Sequence, residues 1–148
     1  MTHSSESETV VAQHTIPFTE GTHVHIQIIQ MGSSVFVWIG ATQGDAVHSL
    51  KPTGQLAALA FAATTRFNNG AAIGSTLIAA KVDDASEGIA KRIAARTKMN
   101  VFVSCDLPSE AADLVVFSER HTVKLLKELE AKRNASHEST QSAPSTTL

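Results

Sequence analysis

His23 and His25 stand two residues apart in HVHIQIIQM (23–31), where polar and apolar residues alternate. On a strand that spacing turns both imidazoles to one face, an arrangement that zinc sites can use. Two ligands are half a site. The residues that could supply a third, His14, His48 and Asp45, hold no fixed spacing to the pair. Alternation on a half-exposed strand explains the two histidines as well. A second candidate is the loop after FVWIG (36–40). Gly40 and Gly44 are four apart and Asp45 follows. A phosphate cradle of the G-x-x-x-x-G-K-[ST] kind needs a cation there, and a carboxylate would repel the phosphate. The dinucleotide pattern G-x-G-x-x-G is absent too, so Gly40 is read as ending a strand and Gly44-Asp45 as a turn. Cys105 closes an apolar run and has no cationic partner in sequence to lower its pKa. Ser104 lacks the G-x-S-x-G context. No catalytic, cofactor-binding or metal-binding residues are predicted, and the chain is not expected to be an enzyme.

The elements that would carry these residues are legible from periodicity. His23–Met31 and Val35–Gly40 read as two strands of a hairpin turning at Gly32-Ser33-Ser34. Residues 41–54, with Gly44, Pro52 and Gly54, read as loop. Leu56–Ala63 and Ile73–Ala80 are further strands, separated by the turn Asn68-Asn69-Gly70. The period then changes. Asp84 stands three residues before Glu87, as in a capping box. Ile89, Ala90, Ile93, Ala94 and Thr97 follow on one stripe, so a helix is predicted over 85–98. Asn100–Cys105 and Leu114–Phe117 read as the last two strands. Ser118 opens a helix to about Lys132, buried along Thr122, Leu125, Leu126 and Leu129. The predicted class is α+β: a six-stranded antiparallel sheet and two helices in the order ββββαββα. Both helices cover one sheet face, leaving the other for dimerisation.

The chain has 148 residues and a formal net charge of -2, too weak a field to argue for nucleic acid. One cysteine excludes an intrachain disulfide. The first residues carry neither a basic region nor an apolar core of the signal-peptide kind. No apolar run is long enough to span a membrane. Residues 1–8 and 134–148 are polar and expected to be disordered, leaving one domain over 9–133.

Two surfaces follow from this layout. With Ser33-Ser34 as the hairpin turn, Ile29 lies opposite Trp38 and Met31 opposite Phe36. Val24, Ile26, Ile28, Val35, Val37 and Ile39 then form a purely aliphatic face suited to a helix-covered core. His25, Gln27, Ile29, Met31, Phe36 and Trp38 form the other face. Aromatics and methionine among polar groups are interface chemistry, so these six are the predicted partner-binding residues. The first helix presents Lys91, Arg92, Arg96 and Lys98 together, a one-signed face that could meet an acidic partner.

Two segments, FVWIGA (36–41) and GIAKRIAARTKMNVFVSCDL (88–107), resemble the proteasome assembly chaperone 4 family. The first matches an aromatic-Φ-W-Φ-G-A strand end. The second matches G-Φ-A-x-R-Φ-A-x-[RK]-T running into V-F-V-S and a leucine, through Gly88, Ala90, Arg92, Ala94, Arg96, Thr97, Val101, Phe102, Val103, Ser104 and Leu107. STLI (75–78) is similar to the strand before the helix. The resemblance spans about residues 22–131 and is patchy between 41 and 72. It implies a non-enzymatic chaperone of cytoplasm and nucleus without a cofactor. Its partners would be proteasome assembly chaperone 3, as a heterodimer, and the 20S proteasome α subunits whose ring the pair helps assemble. Neither nucleic acid nor membrane is implied. With the sheet face occupied, Lys91 and Lys98 are the expected ring-facing residues. Two other readings share the layout: a roadblock- or profilin-like adaptor, and a small metal hydrolase built on His23 and His25.

Overall fold

The alternation in 23–31 is a strand in the computed structural model, which describes residues 8–19, 21–44, 54–79, 85–108 and 110–141. In chain order the elements are β1 (Thr9–Thr19), β2 (Thr22–Met31), β3 (Ser34–Gln43), β4 (Leu59–Thr64), β5 (Ala72–Ile78), α1 (Ser86–Thr97), β6 (Asn100–Asp106) and α2 (Ala112–Gln141). The strands form one sheet in the order β1-β2-β3-β6-β4-β5. Six strands and two helices are as predicted, with two exchanges in sequence order. Thr9–Thr19 is a strand, and Leu114–Phe117 is helical. The order is therefore βββββαβα.

Each exchange has a physical reason. β1 is an edge strand whose pattern is diluted. Only Ala12, Ile16 and Phe18 face the core, and Pro17 sits near its end, where an edge tolerates it. In Leu114–Phe117 the local apolar run is misleading. The spacing that decides is Leu114, Ser118, Thr122 and Leu126, every fourth residue and all buried. The buried hydroxyls are satisfied along the helix: Ser118 Oγ donates to the Leu114 carbonyl at 2.7 Å, and Thr122 Oγ1 to the Ser118 carbonyl at 2.8 Å. α2 also continues to Gln141, well past Asn134, where a disordered tail was expected.

The sheet is mixed rather than wholly antiparallel. After β3 the chain makes the β4–β5 hairpin, crosses the sheet as α1, and returns as β6 between β3 and β4. β6 is parallel to β3 and antiparallel to β4. The crossover places α1 over β4, β5 and β6, while α2 packs beside α1 and over β2.

The β2–β3 turn is Gly32-Ser33, so Ile29 pairs with Phe36, Gln27 with Trp38 and Met31 with Ser34. This corrects the predicted register by two residues. Gly32 has φ 58°, which favours glycine, and that fixes it as the first turn residue. A two-residue slip preserves the side-chain alternation, so the face assignment holds. Val24, Ile26, Ile28, Val35, Val37 and Ile39 are all buried, against Ile89, Ala90, Ile93 and Ala94 of α1 and Val101 and Val103 of β6. Phe18 reaches α2, its ring centroid 4.9 Å from that of Phe117.

α1 begins one residue later than predicted; Asp84, the acceptor of the expected capping box, lies outside the described residues. The N-cap of the helix is Ala85, which offers no side-chain acceptor. Ser86, in the first turn, uses its hydroxyl to accept the Cys105 N–H at 3.1 Å, tying α1 to β6. At the other end Lys98 adopts a left-handed conformation (φ 59°) and its N–H bonds the Ala94 carbonyl.

Candidate protein-interaction surface

The register places a row of apolar side chains across the sheet face that the helices leave uncovered. Val11 pairs with Ile29, Ile29 with Phe36, Phe36 with Phe102, and Phe102 with Phe61. These residues come from β1, β2, β3, β6 and β4. Alternation sends them all away from the aliphatic core. Phe61 and Phe102 stack tilted, with centroids 4.8 Å apart. Ile29, Phe36, Phe61 and Phe102 are each half-buried, and Val11 is 58% exposed. Met31 on β2 and Ile73 and Leu77 on β5 widen the patch, all about half exposed or more.

The six predicted partner-binding residues do share this face, but they do not share one environment. Ile29, Met31 and Phe36 belong to the patch, with half-buried Gln27 beside it. Trp38 is only 4% exposed and is closed off by its own chain, its indole N–H donating to the Gln55 carbonyl at 3.0 Å. The chain approaching β4 therefore lies over the sheet at this point. The backbone of Gly40, two residues along the same face, lies under the Trp38 ring. β3 runs on to Gln43, so Gly40 does not end the strand as predicted; it makes room for an indole. Asp45, Pro52 and the rest of 45–53 lie outside the described residues.

His25 is also internal. Its Nδ1 is 3.0 Å from Thr15 Oγ1 and its Nε2 is 2.8 Å from Thr42 Oγ1. Both ring nitrogens thus face hydroxyls on neighbouring strands, and the residue pins β1 and β3 to β2. His23 shares the face, its Nδ1 buried without a hydrogen-bond partner among the described residues. Ser104 Oγ, beside Trp38, is in the same position. Among the described residues no group of three metal-binding side chains converges on His23 and His25, and the candidate ligands His48 and Asp45 lie outside those residues. Cys105 is buried in the core.

Phe61, Phe102 and Val11 were missed as surface residues. The available clue was parity: Val101 and Val103 belong to the core, so Phe102 between them must face the other way.

The cationic side of α1 is differently arranged from the expected one-signed face. Lys91 Nζ lies 2.7 Å from Glu87 Oε1, one turn back. Arg92 Nε donates to both carboxylate oxygens of Glu119 on α2, at 3.0 and 2.9 Å. Arg96 Nη1 lies 3.9 Å from the same carboxylate. Glu119 is buried, so the two arginines hold the helices together as well as facing solvent. Lys98 forms the end of α1 and is exposed.

No helix among the described residues is long and apolar enough to cross a membrane. The family model for proteasome assembly chaperone 4 matches residues 23–107, more than half of the chain. Human proteasome assembly chaperone 4 is 28% identical over 108 residues, covering 73% of this chain and 76% of the human protein.

Proposed function

The chain belongs to the proteasome assembly chaperone 4 family, and we propose that it pairs with proteasome assembly chaperone 3 and promotes assembly of the α-ring of the 20S proteasome. A chaperone role is non-enzymatic, and it works here through the uncovered sheet face in cytoplasm and nucleus. The observation that carries the reading is the transverse row Val11–Ile29–Phe36–Phe102–Phe61. Contiguous apolar surface of this kind is seldom left open to water and marks a protein interface. Its aromatic centre, with polar Gln27 and Gln13 to one side, has the composition of an interface core and rim. The heterodimer partner covers this face, and ring subunits bind elsewhere on the complex.

Affinity purification of the tagged full chain followed by mass spectrometry tests the proposal. Proteasome assembly chaperone 3 and 20S α subunits are expected. Phe102→Asp should lower recovery of the partner by more than roughly 30-fold, the equivalent of a hot-spot loss of about 2 kcal/mol. Recovery of small GTPases or actin in their place would support an adaptor and overturn the reading.

A further inference from the structure

Arg92 and Arg96 of α1 and Arg120 of α2 line a groove between the two helices, with Glu119 and Val116 as the remaining lining residues. Arg92 meets the Glu119 carboxylate through its Nε alone, and Arg96 reaches it only at 3.9 Å. One buried carboxylate thus meets two guanidinium groups, and Arg120 lines the same groove. Arg92 and Arg96 side chains remain 50% and 56% exposed, so their charge faces the groove mouth. The positive run continues down α2. Arg120 also borders a second groove with Val123, Lys124, Lys127, Glu128 and Ala131. This concentration of cations stands on a chain whose formal net charge is -2.

We propose that the α1–α2 groove binds an acidic segment of a partner polypeptide, one that carries carboxylates on either side of an apolar side chain. Guanidinium groups are suited to planar carboxylates, which they engage through paired N–H donors. Val116, 55% exposed between the arginines, gives an apolar side chain a place to sit. A nucleic-acid backbone fits less well. Its affinity grows with the number of phosphates neutralised, and here Glu119 and Glu128 interrupt the run while the whole chain carries no attracting field. The groove lies on the helical side of the domain, away from the apolar sheet face, so both surfaces can be occupied at once.

The test is a titration of the full chain followed through arginine Nε–Hε NMR signals, which detects weak binding. The probe is a blocked peptide with glutamates on both sides of a single leucine. The signals of Arg92, Arg96 and Arg120 are expected to shift, those of Arg66 and Arg133 to stay, and the shifts to shrink as salt is raised. Arg96→Glu with Arg120→Glu keeps the Arg92–Glu119 pair and should weaken binding at least about tenfold, the lower range for charge pairs at an interface. Val116→Ser, which touches no ion pair, should weaken it several-fold and serves if the charge reversal unfolds. Absence of shifts, or equal shifts with a leucine-free serine peptide, would overturn the proposal. So would stronger binding of polyuridylate, which would assign the groove to nucleic acid.

Discussion

The six-membered ring of Trp38 occupies the space that a Cβ on Gly40 would need. An ideal Cβ there would come within 2.8 Å of Cζ2 and 3.0 Å of Cζ3. The ring cannot easily retreat, because it is buried and its N–H is bonded to the Gln55 carbonyl. Gly40→Ala should therefore displace the indole, break that bond and loosen the segment covering the sheet. Overpacking of this kind costs about 1–3 kcal/mol. Trp38 is the single tryptophan of the chain, so its emission reports the site cleanly. A red shift together with a lower Tm is expected. Unchanged emission in the variant would mean that the strand has room for a side chain here.

How far the fold could be read in advance depended on whether neighbouring residues repeated one pattern. The stripe Ile89, Ala90, Ile93, Ala94 predicted α1 to within a residue at each end, because a helix of apolar face and charged back is written in its own segment. The β2–β3 faces were also legible, and they survived a misplaced turn since the displacement was even. What could not be read was long-range. Nothing local in NVFVSC tells that β6 inserts between β3 and β4, and that insertion is what brings Phe102 between Phe36 and Phe61. The closure of Trp38 depends likewise on a segment 17 residues away. The pairing of Arg92 with Glu119, 27 residues further on, joins the two helices, so a charge read in sequence as part of a one-signed outer face proves half structural.

That pairing makes a second prediction. Glu119 is buried and Arg92 is half exposed, so removing the carboxylate leaves a guanidinium that water can still reach. Glu119→Ala is then expected to cost about 1–2 kcal/mol, within the range for hydrogen bonds to charged groups and short of that for a stranded buried charge. Arg92→Ala should cost more, because it strands the buried carboxylate with only Arg96 at 3.9 Å, and the double variant should show a coupling of about 1 kcal/mol. Urea midpoints at unchanged slope would measure all three. Additive losses would show that the two side chains stabilise the helices independently.

The third prediction concerns acid. Glu87, in the first turn of α1, is held by both oxygens: Lys91 Nζ lies 2.7 Å from Oε1, and Thr76 Oγ1 of β5 donates to Oε2 at 2.8 Å. The hydrogen bond from Lys91, then that from Thr76, and the lysine charge itself hold the carboxyl below its ordinary value of 4.5. A pKa lower in the folded than in the unfolded chain means that the unfolded chain binds more protons between the two values. The contribution is therefore complete above about 4.5 and is lost as pH falls through the lower, folded value. Glu87→Gln cannot lose what it lacks. Its stability deficit against the natural chain should be constant near neutrality and shrink progressively below pH 4.5. Because the site is open to solvent, added salt should narrow the deficit at neutral pH as well. Thr76→Val, which removes one of the two donors, should reproduce part of the deficit with the same pH dependence. Urea midpoints of the three proteins across the acid range decide the matter. A deficit that stays the same at every pH would show that Glu87 acts through packing on β5 and that its charge contributes nothing.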